Sequence, residues 1–216
     1  MNTLEFITQN KVITICRKVY GRELLRLAEA LYAGGVRMIE VTFDQADPDC
    51  IQKTADSILA LNEQFGDKMM FGAGTVLTTE QVVAAQQAGA RYIISPNVDA
   101  DVIAKTKELR LVSMPGAMTP SEILTAHKLG ADIVKLFPAG YLGFGYIKDI
   151  LGPISHVKLC ATGGVTEENW GKYLDFGFVG AGISSRLCDK KCIAAGDFGE
   201  ITRRARVFTN ITQDHA

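Results

Sequence analysis

In Val134–Lys135–Leu136–Phe137–Pro138 an amine directly follows two apolar residues, Ile133 and Val134, that read as a buried strand. A lysine there buries its stem, and burial without a partner disfavours the ammonium form. The neutral amine is the form that attacks a ketone to make a Schiff base. Pro138 has no amide proton to give a strand ladder, so the strand ends near Lys135. Strand carboxyl ends are where parallel α/β folds place their chemistry. The competing reading is a lysine whose stem lies along apolar surface at a strand terminus. A carboxylate, Glu40, likewise interrupts the apolar run Met38, Ile39 and Val41. Burial raises its pKa and a nearby cation lowers it, and a glutamate balanced between the two can shuttle protons near neutral pH. Its competing role is to neutralise Lys135 or Arg17, but a buried lysine–glutamate pair adds little to stability alone.

Other residues could hold a substrate. Thr162–Gly163–Gly164 precedes a helix that Thr166–Glu167–Glu168 suggests, and Gly182–Ile183–Ser184–Ser185 follows a strand. Glycines let backbone N–H groups approach an anion, and serine hydroxyls add donors. Two ordinary turns are the alternative. Arg17, at the end of the first strand, could grip a carboxylate with a two-pronged guanidinium, or be a surface arginine. Lys18 and Arg22 read as solvated charges.

These side chains need elements to carry them. Thr3 to Gln9 reads as a short helix, and Val12–Cys16 as a first strand. Helical spacing follows from Glu23 to Ala33, stopped by Gly34–Gly35. Further strands are expected at Met38–Thr42, Met70–Val76, Tyr92–Ile94, Leu111–Ser113, Asp132–Leu136, Val157–Cys160 and Phe178–Ala181. Helices are expected at Ile51–Gln64, Thr79–Ala88 with Thr79 as cap, Asp99–Leu109, from Thr119 or Ser121, Phe144–Leu151, Glu167–Phe176 and Phe198–Thr209. Thr119–Pro120–Ser121–Glu122 has the form of a capping box with proline at the first helical position. Trp170 fits a helix packing face.

Eight apolar strands alternating with helices imply an α/β fold with a parallel sheet. The expectation is a single (β/α)8 TIM-barrel domain spanning residues 1–216, with an open doubly wound sheet as the alternative. A barrel would bring Arg17, Glu40, Thr42, Thr75, Pro96, Pro115, Lys135, Phe137 and both glycine loops to one face.

The chain has 216 residues, 47% of them hydrophobic, and a net charge of −1 from 23 basic and 24 acidic residues. No basic block stands out, so no nucleic-acid partner is expected. No leader-like segment and no run near the ~20 residues of a membrane span is read, so the expected location is cytoplasmic with no membrane partner. The five cysteines show no framework spacing and read as reduced thiols, Cys16 and Cys160 as core residues. Cys188 and Cys192 could share a helix face. With no histidine placed as a ligand, no metal site is expected.

Several stretches resemble the 2-keto-3-deoxy-6-phosphogluconate (KDPG) / 4-hydroxy-2-oxoglutarate (KHG) aldolases. They are Gly34–Thr42, Gly72–Ala73–Gly74–Thr75–Val76, Ile94–Ser95–Pro96, Met114–Pro120, Val134–Ala139 and Thr162–Gly163–Gly164–Val165, in the family's order over nearly the whole chain. The resemblance implies a (β/α)8 barrel, assembled as a homotrimer, and a class I lyase that needs no cofactor. Such an enzyme splits a 2-keto-4-hydroxy acid into pyruvate and an aldehyde. It implies Lys135 as the Schiff-base lysine and Glu40 as the acid/base. Thr75 and Thr162 would touch the pyruvyl part, and Pro96 and Phe137 would line the pocket. Gly163, Gly164 and Ser184 or Ser185 after Gly182 would bind the distal phosphate of the small-molecule substrate.

The sequence departs from the family at two places. Some members carry an arginine four residues after the glutamate to bind the substrate carboxylate. Here that residue is Asp44, and Arg17 fits members that carry the arginine after the first strand. The usual Gly-Ser after the eighth strand reads Gly182–Ile183–Ser184–Ser185–Arg186, with an extra residue, and Arg186 could contribute. The phosphate loops favour glyceraldehyde 3-phosphate as the aldehyde. Glyoxylate and the galactonate series are alternatives, as are a non-catalytic phosphosugar-acid-binding barrel and an isomerase.

Overall fold

The computed structural model describes residues 1–215, and every side chain among them except that of Leu142. In chain order the elements begin with α1 (Thr3–Asn10), β1 (Val12–Cys16), α2 (Gly21–Ala33), β2 (Met38–Thr42), α3 (Cys50–Phe65) and β3 (Met70–Gly74). The middle of the chain forms α4 (Thr79–Gln87), β4 (Tyr92–Ile94), α5 (Ala100–Glu108), β5 (Val112–Met114), β6 (Gly116–Ala117), α6 (Pro120–Lys128) and β7 (Val134–Leu136). It closes with α7 (Ala139–Leu151), β8 (Leu159–Thr162), α8 (Trp170–Asp175), β9 (Gly180–Ile183), α9 (Lys190–Ala195) and α10 (Phe198–Asp214).

All strand pairs are parallel, in the order β5-β4-β3-β2-β1-β9-β8-β7-β6. The two ends of that order, β5 and β6, are separated only by Pro115. Proline cannot donate to a ladder, so one strand is split in two. Its first half pairs with β4 and its second with β7. Bonds from Ile133 N–H to Ser113 O (3.3 Å) and from Lys135 N–H to Pro115 O (2.9 Å) carry the ring past the break. The result is a TIM-type barrel of eight strand positions, with helices outside.

Side chains alternate across each strand. One set packs outward beneath the helices, including Ile39, Val41, Phe71, Ala73, Val134 and Leu136. The other fills the barrel with Ile13, Met38, Tyr92, Ile94, Val112, Met114, Ile133 and Cys160. Ile7, Leu4 and Phe6 of α1 pack against this inner cluster. No helix of the described residues is long and apolar enough to cross a membrane.

Local differences from the sequence reading have local causes. Thr78, not Thr79, caps α4, its hydroxyl accepting from Gln81 N–H at 3.2 Å. α8 begins at Trp170 rather than Glu167, because Asn169 ties Thr166 N–H and Gly164 O into a turn ahead of it. β8 and β9 each lie about two residues later than their apolar runs. α7 starts at Ala139 and is interrupted by Gly143 at φ 73°. Cys188 precedes α9, so it shares no helix face with Cys192. The capping box at Thr119 and Glu122 forms as read, and Trp170 is buried with Nε1–H donating to Thr212 Oγ1 at 2.9 Å.

Candidate active site

Strand alternation aims two ionisable groups into the barrel. Lys135 lies two positions beyond the inner residue Ile133, and Glu40 two beyond Met38. They are 3% and 1% exposed. Burial pulls the Lys135 pKa down, while Glu40 partly opposes it. Burial pushes the Glu40 pKa up, while Lys135 and then Arg17 oppose it. Glu40 Oε1 has no hydrogen-bond partner. Lys135 Nζ lies 5.0 Å from the centre of the Phe137 ring. The Cys160 thiol is pushed up to about 12, chiefly by burial, and so stays protonated beside the amine.

Glycines on β3 make room for this arrangement. The inward positions there are Gly72 and Gly74, beside Glu40 and Thr42 in register. A Cβ on Gly72 would overlap the Tyr92 ring, and one on Gly74 would overlap the Glu40 carboxyl. Tyr92 fills the lower space and donates its hydroxyl to Ile39 O at 2.7 Å. Glu40 therefore leans across Gly74 toward the carboxyl end of the barrel.

The cation sits at the rim. Arg17 is exposed after β1, and its Nη1–H donates to Thr75 Oγ1 at 3.4 Å. Thr75 follows β3 with φ 55°, a left-handed conformation that costs a non-glycine residue about 1–2 kcal/mol. Lys18, beside Arg17, pairs with Asp44 at 2.7 Å. The position where some aldolases carry an arginine thus ties the β1 and β2 loops together.

A cavity of about 300 Å³ opens at the same end, lined by Arg17, Phe137, Thr162, Gly163, Gly164, Gly182, Ser184, Ser185 and Arg186. Thr162 is buried beside Gly182, where a Cβ would crowd its hydroxyl. Gly163 and Gly164 are left-handed, with φ of 85° and 80°. Gly163 O accepts from Gly140 N–H at 2.6 Å, and a Cβ on Gly164 would strike Gly140. The pair thus serves close passage over the start of α7 as well as any anion. Ser184 is half-buried and its carbonyl caps the turn to Cys188, whereas Ser185 is exposed. Arg186 is bound to Glu167, with Nε–H donating at 2.8 Å and Nη2 at 2.7 Å.

The structure brings most of the anticipated residues to one end of the barrel. Pro96 is exposed and its carbonyl backs Gly116; like Glu40, Thr75 and Lys135, it is not part of this cavity's lining. The roles of Gly74, Gly140 and Gln45 are not evident from the sequence. The small-residue run Gly72–Ala73–Gly74 was the signal available for the first. No cluster of three potential metal ligands occurs among the described residues.

Comparison with known proteins agrees with this geometry. A family model described as "Aldolase: KDPG and KHG aldolase" matches residues 4–204. The chain is 33% identical over 185 residues to the 2-dehydro-3-deoxy-6-phosphogalactonate aldolase of Escherichia coli K12, covering 85% of this chain and 87% of that protein. It is 34% identical over 199 residues to the 2-dehydro-3-deoxy-phosphogluconate aldolase of Treponema pallidum, covering 92% and 91%. A crystal structure of KDPG aldolase from Legionella pneumophila, with pyruvate captured as a covalent carbinolamine, superposes with a TM-score of 0.84. The identity is 28%, over 96% of this chain and 98% of that one.

Proposed function

This chain belongs to the KDPG and KHG aldolase family of lyases, and we propose that Lys135 is its Schiff-base nucleophile and Glu40 its acid/base. The observation that carries the reading is a buried amine of lowered pKa inside the barrel, beside a buried carboxylate of raised pKa. The proposed substrate is 2-keto-3-deoxy-6-phosphogluconate, cleaved to pyruvate and glyceraldehyde 3-phosphate. The phosphogalactonate epimer is the second reading, since one relative bears that name.

In this mechanism the neutral Lys135 Nζ adds to the C2 ketone, and loss of water leaves an iminium. The Glu40 carboxylate takes the C4 hydroxyl proton, directly or through water. The C3–C4 bond breaks, its electron pair flows into the iminium, and the aldehyde departs. The enamine takes the proton back at C3, and hydrolysis releases pyruvate and the amine. Arg17, with Thr75 and Thr162, holds the carboxylate end. Gly163, Gly164 and Ser184 or Ser185 hold the distal phosphate, and Phe137 flanks the reacting carbon. Pro96 is proposed to line the pocket with Phe137, and its carbonyl also backs Gly116.

The five free thiols suit a reducing cytoplasm. Homotrimer assembly is proposed on family resemblance alone. The decisive experiment is borohydride reduction in the presence of pyruvate, followed by peptide mass spectrometry. A reduced pyruvyl adduct on Lys135, absent in Lys135→Ala together with all turnover, is the expected result. Pyruvate binding without an adduct, or an active Lys135→Ala variant, would overturn it.

A further inference from the structure

We infer that Gln45, held by Gln81, is a positioning residue that keeps the carboxylate-binding end of the site in its working shape. Three hydrogen bonds define the relay. Gln45 Nε2–H donates to the Thr75 carbonyl at 2.7 Å. Gln81 Nε2–H donates to Gln45 Oε1 at 3.0 Å. Leu77 N–H donates to Gln81 Oε1 at 2.8 Å.

Each amide thus uses one donor and its oxygen, and the two side chains bind both ends of the loop after β3. Gln81 is 4% exposed and fixed at the first turn of α4, where its backbone N–H also meets Thr78. It is the rigid member, and Gln45 is the arm that reaches from the β2 loop.

What the arm holds is the strained residue. Thr75 is left-handed, which a threonine adopts only when its surroundings compel it. In that conformation its hydroxyl accepts from Arg17. Without the bond from Gln45, Thr75 loses a restraint against relaxing, and relaxation would carry the hydroxyl away from the guanidinium. Gln45 bonds the Thr75 carbonyl and Gln81, so it acts through Thr75 and Arg17. The role rests on the reading that those two residues hold the ketoacid carboxylate.

The test compares wild type, Gln45→Met and Gln81→Met. Calorimetry measures pyruvate affinity, inhibition by inorganic phosphate reports the distal site, and borohydride trapping reports adduct formation. Methionine keeps the length and removes the donor, and Gln45 is exposed, so the variant folds. Gln45→Met is expected to weaken pyruvate binding about 5- to 10-fold, the worth of one directed hydrogen bond. Phosphate inhibition and adduct yield at saturating pyruvate stay within about twofold. Gln81→Met weakens pyruvate binding in the same direction, by less. Unchanged pyruvate affinity in Gln45→Met, or parallel loss of pyruvate and phosphate affinity, overturns the inference. If wild type binds pyruvate without forming an adduct, the Schiff-base reading falls and the affinity ratio still decides the relay. If wild type does not bind pyruvate, both fall.

Discussion

Replacing Gly74 by alanine adds one methyl group at the point where the Glu40 carboxyl lies. A Cβ there meets the Cγ, Cδ and Oε1 of Glu40 at distances no real contact shows. The backbone of Gly74 is outside the left-handed region, so alanine brings no dihedral strain and the clash is the whole perturbation. Glu40 must rotate away or β2 and β3 must part. Overpacking of this size costs about 1–3 kcal/mol, and in a chain of this length that lowers Tm by roughly 3–10 °C. The chemical effect should be larger than the structural one. Displacing the proposed acid/base should forfeit about 10²–10⁴ in proton transfer, while Lys135, the proposed nucleophile on the far strand β7, is expected still to form its adduct. Two assays separate the effects. Borohydride trapping of pyruvate is expected to persist, and exchange of the pyruvate methyl protons with deuterated water, followed by NMR, is expected to fall to the level of Glu40→Gln. In Glu40→Ala/Gly74→Ala the added methyl finds space, so the stability loss should be smaller than the sum of the single changes. Wild-type methyl exchange in Gly74→Ala would refute the placement of Glu40 as the proton carrier.

Charge sets the pH response of the site. Burial holds the Glu40 pKa above its ordinary range, so its stabilising contribution is complete below about pH 4.3 and is lost as pH rises through the raised folded value. Glu40→Gln, neutral at every pH, should therefore match wild-type Tm in acid and exceed it at pH 8, while turnover drops about 10²–10⁴-fold; a variant less stable than wild type at pH 8 would contradict the direction assigned to Glu40. For Lys135 the sign is opposite: its lowered pKa means that the pH midpoint for adduct trapping should lie below 10.5, and a midpoint at or above that value would remove the case for a neutral amine. Arg17→Met should raise KM about tenfold at the low end of a charge-assisted contact, because the guanidinium is exposed. Equal KM values would assign the carboxylate to another group.

Much of this was legible in the chain. Charged residues inside apolar runs, at Glu40 and Lys135, cannot be placed without chemistry or a partner, and each lies on the inward face of its strand. The alternation of apolar runs and helical spacing marked eight strand positions, since each barrel strand is buried on both sides. What the sequence concealed depended on contacts far apart in the chain. That Gly74 makes space for Glu40 is a relation between strands thirty-odd residues apart. The partnership of Asp44 with Lys18, and of Gln45 with Thr75, joins loops that parallel pairing of β2 with β1 and β3 brings together. The short helix α9 lies in a polar stretch, Asp189–Lys190–Lys191, whose cap bond becomes evident only when the Asp189 side chain is seen accepting from Lys191 N–H at 2.8 Å.

The backbone N–H of Lys135 donates to Pro115 O, and so the proposed nucleophile is also a clasp of the ring at its split strand. Ring integrity and reactivity are therefore monitored by the same residue. Thermal damage that loosens the join between β6 and β7 would re-hydrate the amine and restore its ordinary basicity before the helices melt. Inactivation on heating should then run ahead of the loss of secondary structure, and the enzyme would fall silent while still folded.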